Sequence, residues 1–255
     1  MIKLISVLLL IALCSTQANA EPLRLVALQY PPYVYTEDNQ VKGLATRMVR
    51  SIFDQLNVEI HIQILPWARA LKALKNGAAD GVFTIFKKDE RLTYLHYPAE
   101  TLIDQNIVFY ARQDSPIRFD GKLESLYRHR IGLTRSVSYG SIFDAAKNQF
   151  SNSIIVNDEE SKFELLARGR TELLISNQDA AQYYIDKQNL ATVLRRLSPP
   201  LQSVPSYLAL TKKPGHKELL KRFEQLLSRF KSTGQLQKIQ QDWLAAQRQY
   251  SASKQ

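Results

Sequence analysis

The chain has 255 residues and a formal net charge of +10 at pH 7. A basic balance can indicate nucleic-acid or anionic-surface binding, but here the cations are dispersed over predicted helix faces, without an arginine-rich arm or a zinc-ligand spacing. We therefore expect solvated charged faces with some steering of anions, and no nucleic-acid partner.

The first twenty residues have the pattern of a secretory signal. Lys3 supplies a positive start, residues 4–13 are almost wholly apolar, and Ala18-Asn19-Ala20 fits a small-residue cleavage site. The apolar run is too short for a membrane anchor. The bulky residue before Cys14 argues against lipidation there. Removal of the segment leaves 235 residues with a charge of +9 and no cysteine. We expect a soluble exported protein that is held by its core and does not itself span the membrane.

Strand and helix patterns alternate along the first part of the chain. Leu23 to Leu28 is a predicted strand, which Tyr30-Pro31-Pro32-Tyr33 ends because proline cannot donate a ladder hydrogen bond. Helical spacing from Gly43 to Leu56 precedes an alternating strand from Val58 to Ile64. Such βα repeats predict a mostly parallel sheet.

The stretch from Leu65 to Arg91 continues this pattern. An apolar stripe that starts at Trp67 predicts a short helix, and Gly81 to Phe86 reads as a strand buried on both faces. Cations follow the strand at once, in the run from Lys87 to Arg91. Open α/β sheets bind ligands beyond the carboxyl ends of their strands. The stretch therefore predicts one wall of a small-molecule cleft.

A polar break at residues 112–116 follows a predicted strand at Asn106 to Tyr110, and the βα alternation then restarts. This restart indicates a second, smaller α/β lobe. Its predicted strands are Arg130–Thr134, Ser153–Val156 and Glu172–Ser176, and its predicted helices are 139–149, 159–167 and 179–187.

The end of the chain returns to apolar helices. After a strand at Ser206 to Leu210, residues 216–231 and a second helix through Trp243 carry strongly amphipathic faces that need a host. The first lobe can provide that host if the chain crosses back to it. Two connecting segments, near 110–116 and 198–206, would then form a hinge, and a loose tail would follow from Arg248.

The order and spacing of several short motifs resemble family 3 of the bacterial solute-binding proteins, the polar amino-acid type of ABC transporters. The resemblance spans Leu23 to about Leu244. It rests on the YPPY turn, Gly43, Trp67 with Gly77 and Asp80, Asp89-Glu90-Arg91 before Tyr97, Gly132 with Ser138, and the helix from Gly234 to Trp243.

The resemblance implies an α/β, two-lobed, periplasmic-binding-protein-like (type II) fold, with a ligand cleft between the lobes and two hinge crossings. We assign residues 1–20 to the signal peptide, 21–112 and 204–247 to lobe 1, 113–203 to lobe 2 and 248–255 to a flexible tail. The implied protein is a periplasmic monomer without cofactor, metal or catalytic residues. Its partners are a small polar, amino-acid-like solute and a membrane permease or receptor.

In lobe 1 the resemblance assigns Tyr30 and Trp67 as aromatic platforms, Thr84 as a strand-end hydroxyl and Arg91 as the carboxylate-binding arginine. Trp67 is otherwise the first core residue of its helix, and Arg91 a surface cation if its loop, one residue shorter than usual, is displaced. Arg69 is either a second anion contact or a solvated residue.

In lobe 2 the resemblance assigns Ser138 and Tyr139, with Ser138 as the N-cap of a helix whose free N–H groups can hold an anion. Asn177 stands where the amine-binding aspartate of the family is expected. Asp179 either substitutes for it or caps the next helix, and we prefer the capping interpretation. The cleft therefore supports a carboxylate-bearing solute more firmly than an amino acid.

Three functions follow from these assignments. The leading hypothesis is solute capture by hinge closure and delivery to a permease. A sensory role through a membrane receptor would use the same lobes. A dehydratase-like enzyme on this fold would need a placed acid or base, and His61, His96, His129 and His216 have no motif around them.

Overall fold

A computed structural model of the protein describes residues 21–252. The predicted signal peptide, with its cleavage site and Cys14, and residues 253–255 lie outside the described residues. Within the described range, no helix has the length and apolar character that crossing a membrane would require.

The described residues form twelve β-strands and seven α-helices. The strands are β1 (Leu23–Ala27), β2 (Tyr35–Glu37), β3 (Gln40–Lys42), β4 (Ile60–Ile64), β5 (Gly81–Phe86), β6 (Leu95–His96), β7 (Ile103–Arg112), β8 (Ile131–Thr134), β9 (Ser153–Val156), β10 (Leu173–Asn177), β11 (Leu194–Arg196) and β12 (Gln202–Thr211). The helices are α1 (Leu44–Gln55), α2 (Trp67–Lys75), α3 (Ser141–Ala146), α4 (Glu159–Ala167), α5 (Gln178–Lys187), α6 (His216–Ser232) and α7 (Gln235–Ala252).

Two lobes share one continuous run of strands, in the order β4-β1-β5-β12-β7-β10-β8-β9. The β1/β4, β1/β5, β8/β9 and β8/β10 pairs are parallel, as the βα repeats predict. The long strands β7 and β12 run antiparallel to each other between the two halves. They carry the chain from one lobe to the other, and the predicted residue boundaries of the lobes stay a prediction.

Each lobe has its own apolar core. Phe53, Phe83 and Phe223 belong to one cluster, in which the buried faces of α6 and α7 pack against α1. The C-terminal helices therefore pack on the first lobe, which is the host that their amphipathic faces require. Phe109 and Phe143 belong to a separate cluster in the second lobe.

Some predicted bounds differ from the observed ones. The segment 198–206 was predicted as an irregular connection because of its prolines, yet β12 begins at Gln202 and includes Pro205, which lies opposite Asp104. The backbone of α7 is helical as far as Ala252, past the predicted start of the tail at Arg248, and the flexibility of that tail stays a prediction. The hairpin of β2 and β3 and the short strands β6 and β11 were not predicted.

Candidate functional site

A cavity of about 40 Å³ lies where the two lobes meet. Five of the eight predicted site residues line it. Its walls consist of Leu28, Tyr30, Trp67, Thr84, Phe86, Arg91 and Gln105, together with Val137 and Ser138 from the second lobe.

Arg91 forms the cationic part of the cavity wall. A short 3₁₀ turn, Asp89–Arg91, follows β5 and directs the side chain back to the end of that strand, where only 2% of the residue is exposed. Nη1 donates to the Phe86 carbonyl oxygen at 2.7 Å, and the guanidinium lies 5.7 Å from the ring centroid of Trp67. Nε has no hydrogen-bond partner. The shorter loop has therefore not displaced Arg91 to the surface.

Trp67 is a core residue that also lines the cavity. It is the first residue of α2, directly after Pro66, and it packs with Ala70 and Leu74 in a buried cluster. The face of its ring lies near the Arg91 guanidinium. Cation–π contact of this kind contributes about 0.5–2 kcal/mol, depending on how far the cation is desolvated. Core packing does not prevent Trp67 from lining the cavity, and its role as a platform for the ligand stays a prediction.

Thr84 occupies a strained position in β5. The pairing with β12 places Ile85 opposite Tyr207 and Phe83 opposite Leu208, so Thr84 is an extra residue in a β-bulge. Its φ of 60° lies in the left-handed region, which β-branched residues rarely adopt. Its hydroxyl donates to the Phe83 carbonyl oxygen at 2.6 Å. The bulge breaks the alternation of β5 at Thr84, one of the two β5 residues that line the cavity.

Gln105 lines the cavity and was missed by the sequence interpretation. Its Oε1 accepts a hydrogen bond of 2.8 Å from the Tyr30 hydroxyl, and its Nε2 has no partner although the residue is only 1% exposed. The sequence carried little signal, because Gln105 lies between Asp104 and Asn106 in a polar stretch, just before the strand predicted from Asn106 to Tyr110.

The second lobe presents Ser138 differently from the prediction. Helix α3 begins at Ser141 and Gly140 is its N-cap, so the prediction of Ser138 as the cap is wrong. The reason is that the Ser138 hydroxyl donates to Asp144 Oδ2 in the first turn, and the backbone N–H of Tyr139 donates to the other oxygen of Asp144. Ser138 nevertheless lines the cavity.

Tyr139 does not line the cavity. It is 2% exposed, and its hydroxyl accepts hydrogen bonds from the Thr134 backbone N–H at 2.8 Å and from Lys162 Nζ at 3.3 Å. Lys162 is fully buried and ion-paired with Glu159 at 2.8 Å, and it also donates to the Ile175 carbonyl oxygen. Burial alone would lower the pKa of Lys162, but Glu159 raises it above its ordinary value. This buried network supports the loop that carries Ser138.

Asn177, and not Asp179, caps the helix that follows β10. Asn177 ends β10, and its Oδ1 accepts from the backbone N–H groups of Asp179 and Ala180, so Asn177 is the N-cap of α5. The preferred capping role for Asp179 is therefore wrong. Its carboxylate instead accepts a 2.6 Å hydrogen bond from the Tyr33 hydroxyl in the other lobe. Neither residue lines the cavity, and Arg69 is exposed on α2.

A larger pocket of about 420 Å³ adjoins the cavity and shares Phe86 and Ser138 with it. Lys88 and Asp144 form an ion pair of 2.8 Å along this pocket and join the two lobes. Burial would raise the pKa of Asp144, but Lys88 and Ser138 hold it below its ordinary value. Among residues 21–252, no group of His, Cys, Asp and Glu side chains could hold a metal ion.

Solved structures share this fold over most of their length. A histidine kinase sensor domain with similarity to periplasmic binding proteins has a TM-score of 0.77 and 23% identity, over 88% of this chain and 96% of that chain. An ancestral arginine-binding protein bound to arginine has a TM-score of 0.75 and 20% identity, over 88% of this chain and 98% of its own. The arginine-, lysine-, histidine-binding protein ArtJ of Geobacillus stearothermophilus has a TM-score of 0.75 and 16% identity, over 88% and 96%.

No curated protein matches the chain. The family model of the bacterial extracellular solute-binding proteins, family 3, matches residues 25–246, which is most of the chain and includes every residue of the cavity wall. The two-lobed fold and the cavity between the lobes agree with that match. The chain belongs to family 3 of the bacterial extracellular solute-binding proteins.

Proposed function

We propose that the protein captures a small polar, carboxylate-bearing solute between its two lobes and delivers it to an ABC permease. The observation that carries this proposal is Arg91, a buried guanidinium in the wall of an interlobe cavity with one N–H group still free to donate. A guanidinium fork matches a carboxylate in geometry and stays charged at any physiological pH.

The neighbouring side chains support this choice of ligand. Thr84 and Ser138 belong to different lobes and line the same cavity, so a carboxylate there would contact both lobes at once. Trp67 and Tyr30 supply aromatic surface for the body of the solute. Ligand contacts that exist only when the lobes meet favour the closed arrangement, which is how binding drives hinge closure.

Sensing is the second candidate function, since a solved histidine kinase sensor domain shares the fold. The two candidates are separated by deleting the gene and measuring uptake of the labelled ligand. Delivery to a permease predicts that uptake falls. Sensing predicts unchanged uptake and the loss of a ligand-dependent transcriptional response. We also propose that the protein is periplasmic, from its signal-peptide pattern, and a monomer, as the family resemblance implies.

Thermal-shift measurements against a library of small carboxylates test the proposal. We expect at least one carboxylate to raise the melting temperature of the protein, and Arg91→Ala to abolish that rise. Losing a hydrogen-bonded charge partner costs about 1.5–3 kcal/mol, or roughly 10- to 150-fold in affinity. Arg128→Ala, at an exposed arginine outside the cavity wall, is the matched control. The proposal is wrong if Arg91→Ala and the control respond alike.

A further inference from the structure

We infer that the solute is an anion without an ammonium group: a small carboxylate that carries a second oxygen acceptor, such as a 2-oxo acid, a 2-hydroxy acid or a dicarboxylate. The inference deepens the proposed function and rests on it. It depends on the balance of donors, acceptors and charges around the cavity.

The cavity wall contains one cation and no carboxylate. Arg91 is the only charged residue among the nine that line it. The carboxylate closest to the Arg91 guanidinium is Glu90, whose oxygen lies 3.9 Å from Nε, beyond hydrogen-bond distance, and whose side chain is 70% exposed. An ammonium group in this cavity would therefore be buried beside a guanidinium without a carboxylate of the protein to balance it, which is strongly unfavourable.

Three carboxylates of the second lobe that lie near the interface, Asp144, Glu159 and Asp179, already have partners. Asp179 accepts from the Tyr33 hydroxyl, and Asp144 is paired with Lys88. Glu159 is buried against Lys162 and also accepts from the Thr134 and Ser176 hydroxyls. Turning any of these carboxylates toward a ligand would leave its present donor or cation without a partner. Loss of a partner costs more free energy for a buried group than for an exposed one.

At the site and next to it, the buried side-chain polar atoms that lack a hydrogen-bond partner are all donors. Arg91 Nε and Gln105 Nε2 have no hydrogen-bond partner and belong to residues that line the same cavity. Asn177, at the neighbouring end of β10, has used its oxygen as a helix cap, and its Nδ2 is also buried without a partner. Buried donors call for acceptors. A carboxylate at Arg91 and a second oxygen at Gln105 supply them.

Isothermal titration of the purified protein with matched pairs of ligands tests the inference. Suitable pairs share a skeleton and differ in one group, such as 2-oxoglutarate with glutamate and pyruvate or lactate with alanine. We expect the oxygen-bearing acid of a pair to bind at least about tenfold more tightly than its amino counterpart, because one unpaired buried charge costs more than 1.4 kcal/mol. Equal or tighter binding of the amino acid overturns the inference and leaves the proposed function standing. If no carboxylate of either series binds, the inference and the proposed function both fail.

A variant that replaces the neutral side chain of Gln105 with a carboxylate provides the second measurement. Gln105→Glu keeps the shape of the side chain and replaces its free donor with an acceptor, so we expect it to lose at least about tenfold in affinity for the oxygen-bearing acid. Gln113→Glu makes the same change at an exposed position outside the cavity wall and should bind like the wild type. Unchanged affinity of a folded Gln105→Glu variant would contradict the assignment of Gln105 to the second oxygen.

Discussion

At the scale of single residues, one position of the cavity wall has a backbone conformation that its residue type does not favour. Thr84 is held at a φ of 60° by the bulge between β5 and β12. Left-handed conformation costs a non-glycine residue about 1–2 kcal/mol. Strain of this kind persists only where the surrounding structure imposes it, and here it accompanies a position in the cavity wall.

The positive φ of Thr84 predicts that glycine and alanine variants rank in stability there in the opposite order to that at an ordinary strand position. At this position we expect Thr84→Gly to be more stable than Thr84→Ala by about 1 kcal/mol, since glycine adopts a positive φ without a clash. At Asn106, an exposed residue of β7, alanine should be the more stable of the two by about 0.5–1 kcal/mol. Urea denaturation of the four variants measures both differences. The same order at both positions would show that Thr84 is not strained.

The residues of the site differ in how far the sequence could predict them. Trp67, Arg91 and Tyr30 stand at recognisable spacings, and the structure brings them into one cavity wall. Gln105 could not be predicted, because its importance comes from contact with Tyr30, 75 positions earlier in the chain. The roles of Asn177 and Asp179 could not be separated either, since both residue types cap helices and only the three-dimensional arrangement places Asp179 beside Tyr33.

At the scale of elements, Asp80 connects the start of β5 to β1 and to the residues after β12. Its carboxylate accepts hydrogen bonds from the Arg24 side chain and backbone and from Lys213 Nζ. Burial would raise the pKa of Asp80, but the hydrogen bonds from Arg24 and Lys213 outweigh it and hold the pKa well below its ordinary value. Asp80 thus stabilises the β1/β5 part of the sheet that carries Thr84.

The Asp80 pKa predicts the pH dependence of stability. Because the pKa is lower in the folded state, the stabilisation is complete above the unfolded-state pKa of about 3.9 and is lost as the pH falls toward the folded-state value. We expect Asp80→Asn to lower the free energy of unfolding at pH 7 by about 1–3 kcal/mol. Below pH 4 the difference between wild type and variant should shrink.

Chemical denaturation between pH 7 and pH 3 measures this difference. Asp54→Asn, at an exposed position of α1, provides the control for loss of one carboxylate. A difference between wild type and Asp80→Asn that is independent of pH, or an Asp54→Asn variant with the same profile, would contradict the role of the Asp80 ion pairs.

The elements themselves were largely predictable because their patterns are local. Strand β5 and helix α4 have the predicted bounds, since a continuous apolar run and an Asp158 cap with an acidic first turn mark them. The start of α3 was predicted too early because Ser138 is bonded by Asp144, six residues away, and is not available as a cap. The first part of the crossing strand β12 could not be predicted because it contains Pro205. Proline lacks the N–H group of a ladder hydrogen bond, so a sequence pattern with proline indicates the end of a strand.

At the scale of the whole molecule, direct contacts hold the lobes together beside the cavity. The Tyr33 hydroxyl donates to Asp179 on α5, Lys88 pairs with Asp144 on α3, and the rings of Tyr35 and Tyr183 lie 6.1 Å apart. These contacts stabilise this arrangement of the lobes independently of the solute. In the proposed hinge closure, the balance between open and closed forms would depend on them as well as on the ligand.

The Tyr33 contact predicts a shift of that balance. Tyr33→Phe removes one hydrogen bond to a charged group, about 1.5–3 kcal/mol, so the open form should gain population in the ligand-free protein. We expect a larger radius of gyration by small-angle X-ray scattering and a weaker affinity for the solute. Tyr127→Phe, at a tyrosine that packs on Phe150 within the second lobe, is the control. If Tyr33→Phe scatters and binds like the control, the contact does not stabilise the closed form.

The position of the bound solute tests the central claim most directly. A crystal structure with the tightest-binding carboxylate should show its carboxylate group within hydrogen-bond distance of the Arg91 guanidinium, beside Trp67, and in contact with Ser138 of the second lobe. A solute bound on one lobe alone, or in the larger pocket at Lys88 and Asp144 without contact to Arg91, would contradict the account.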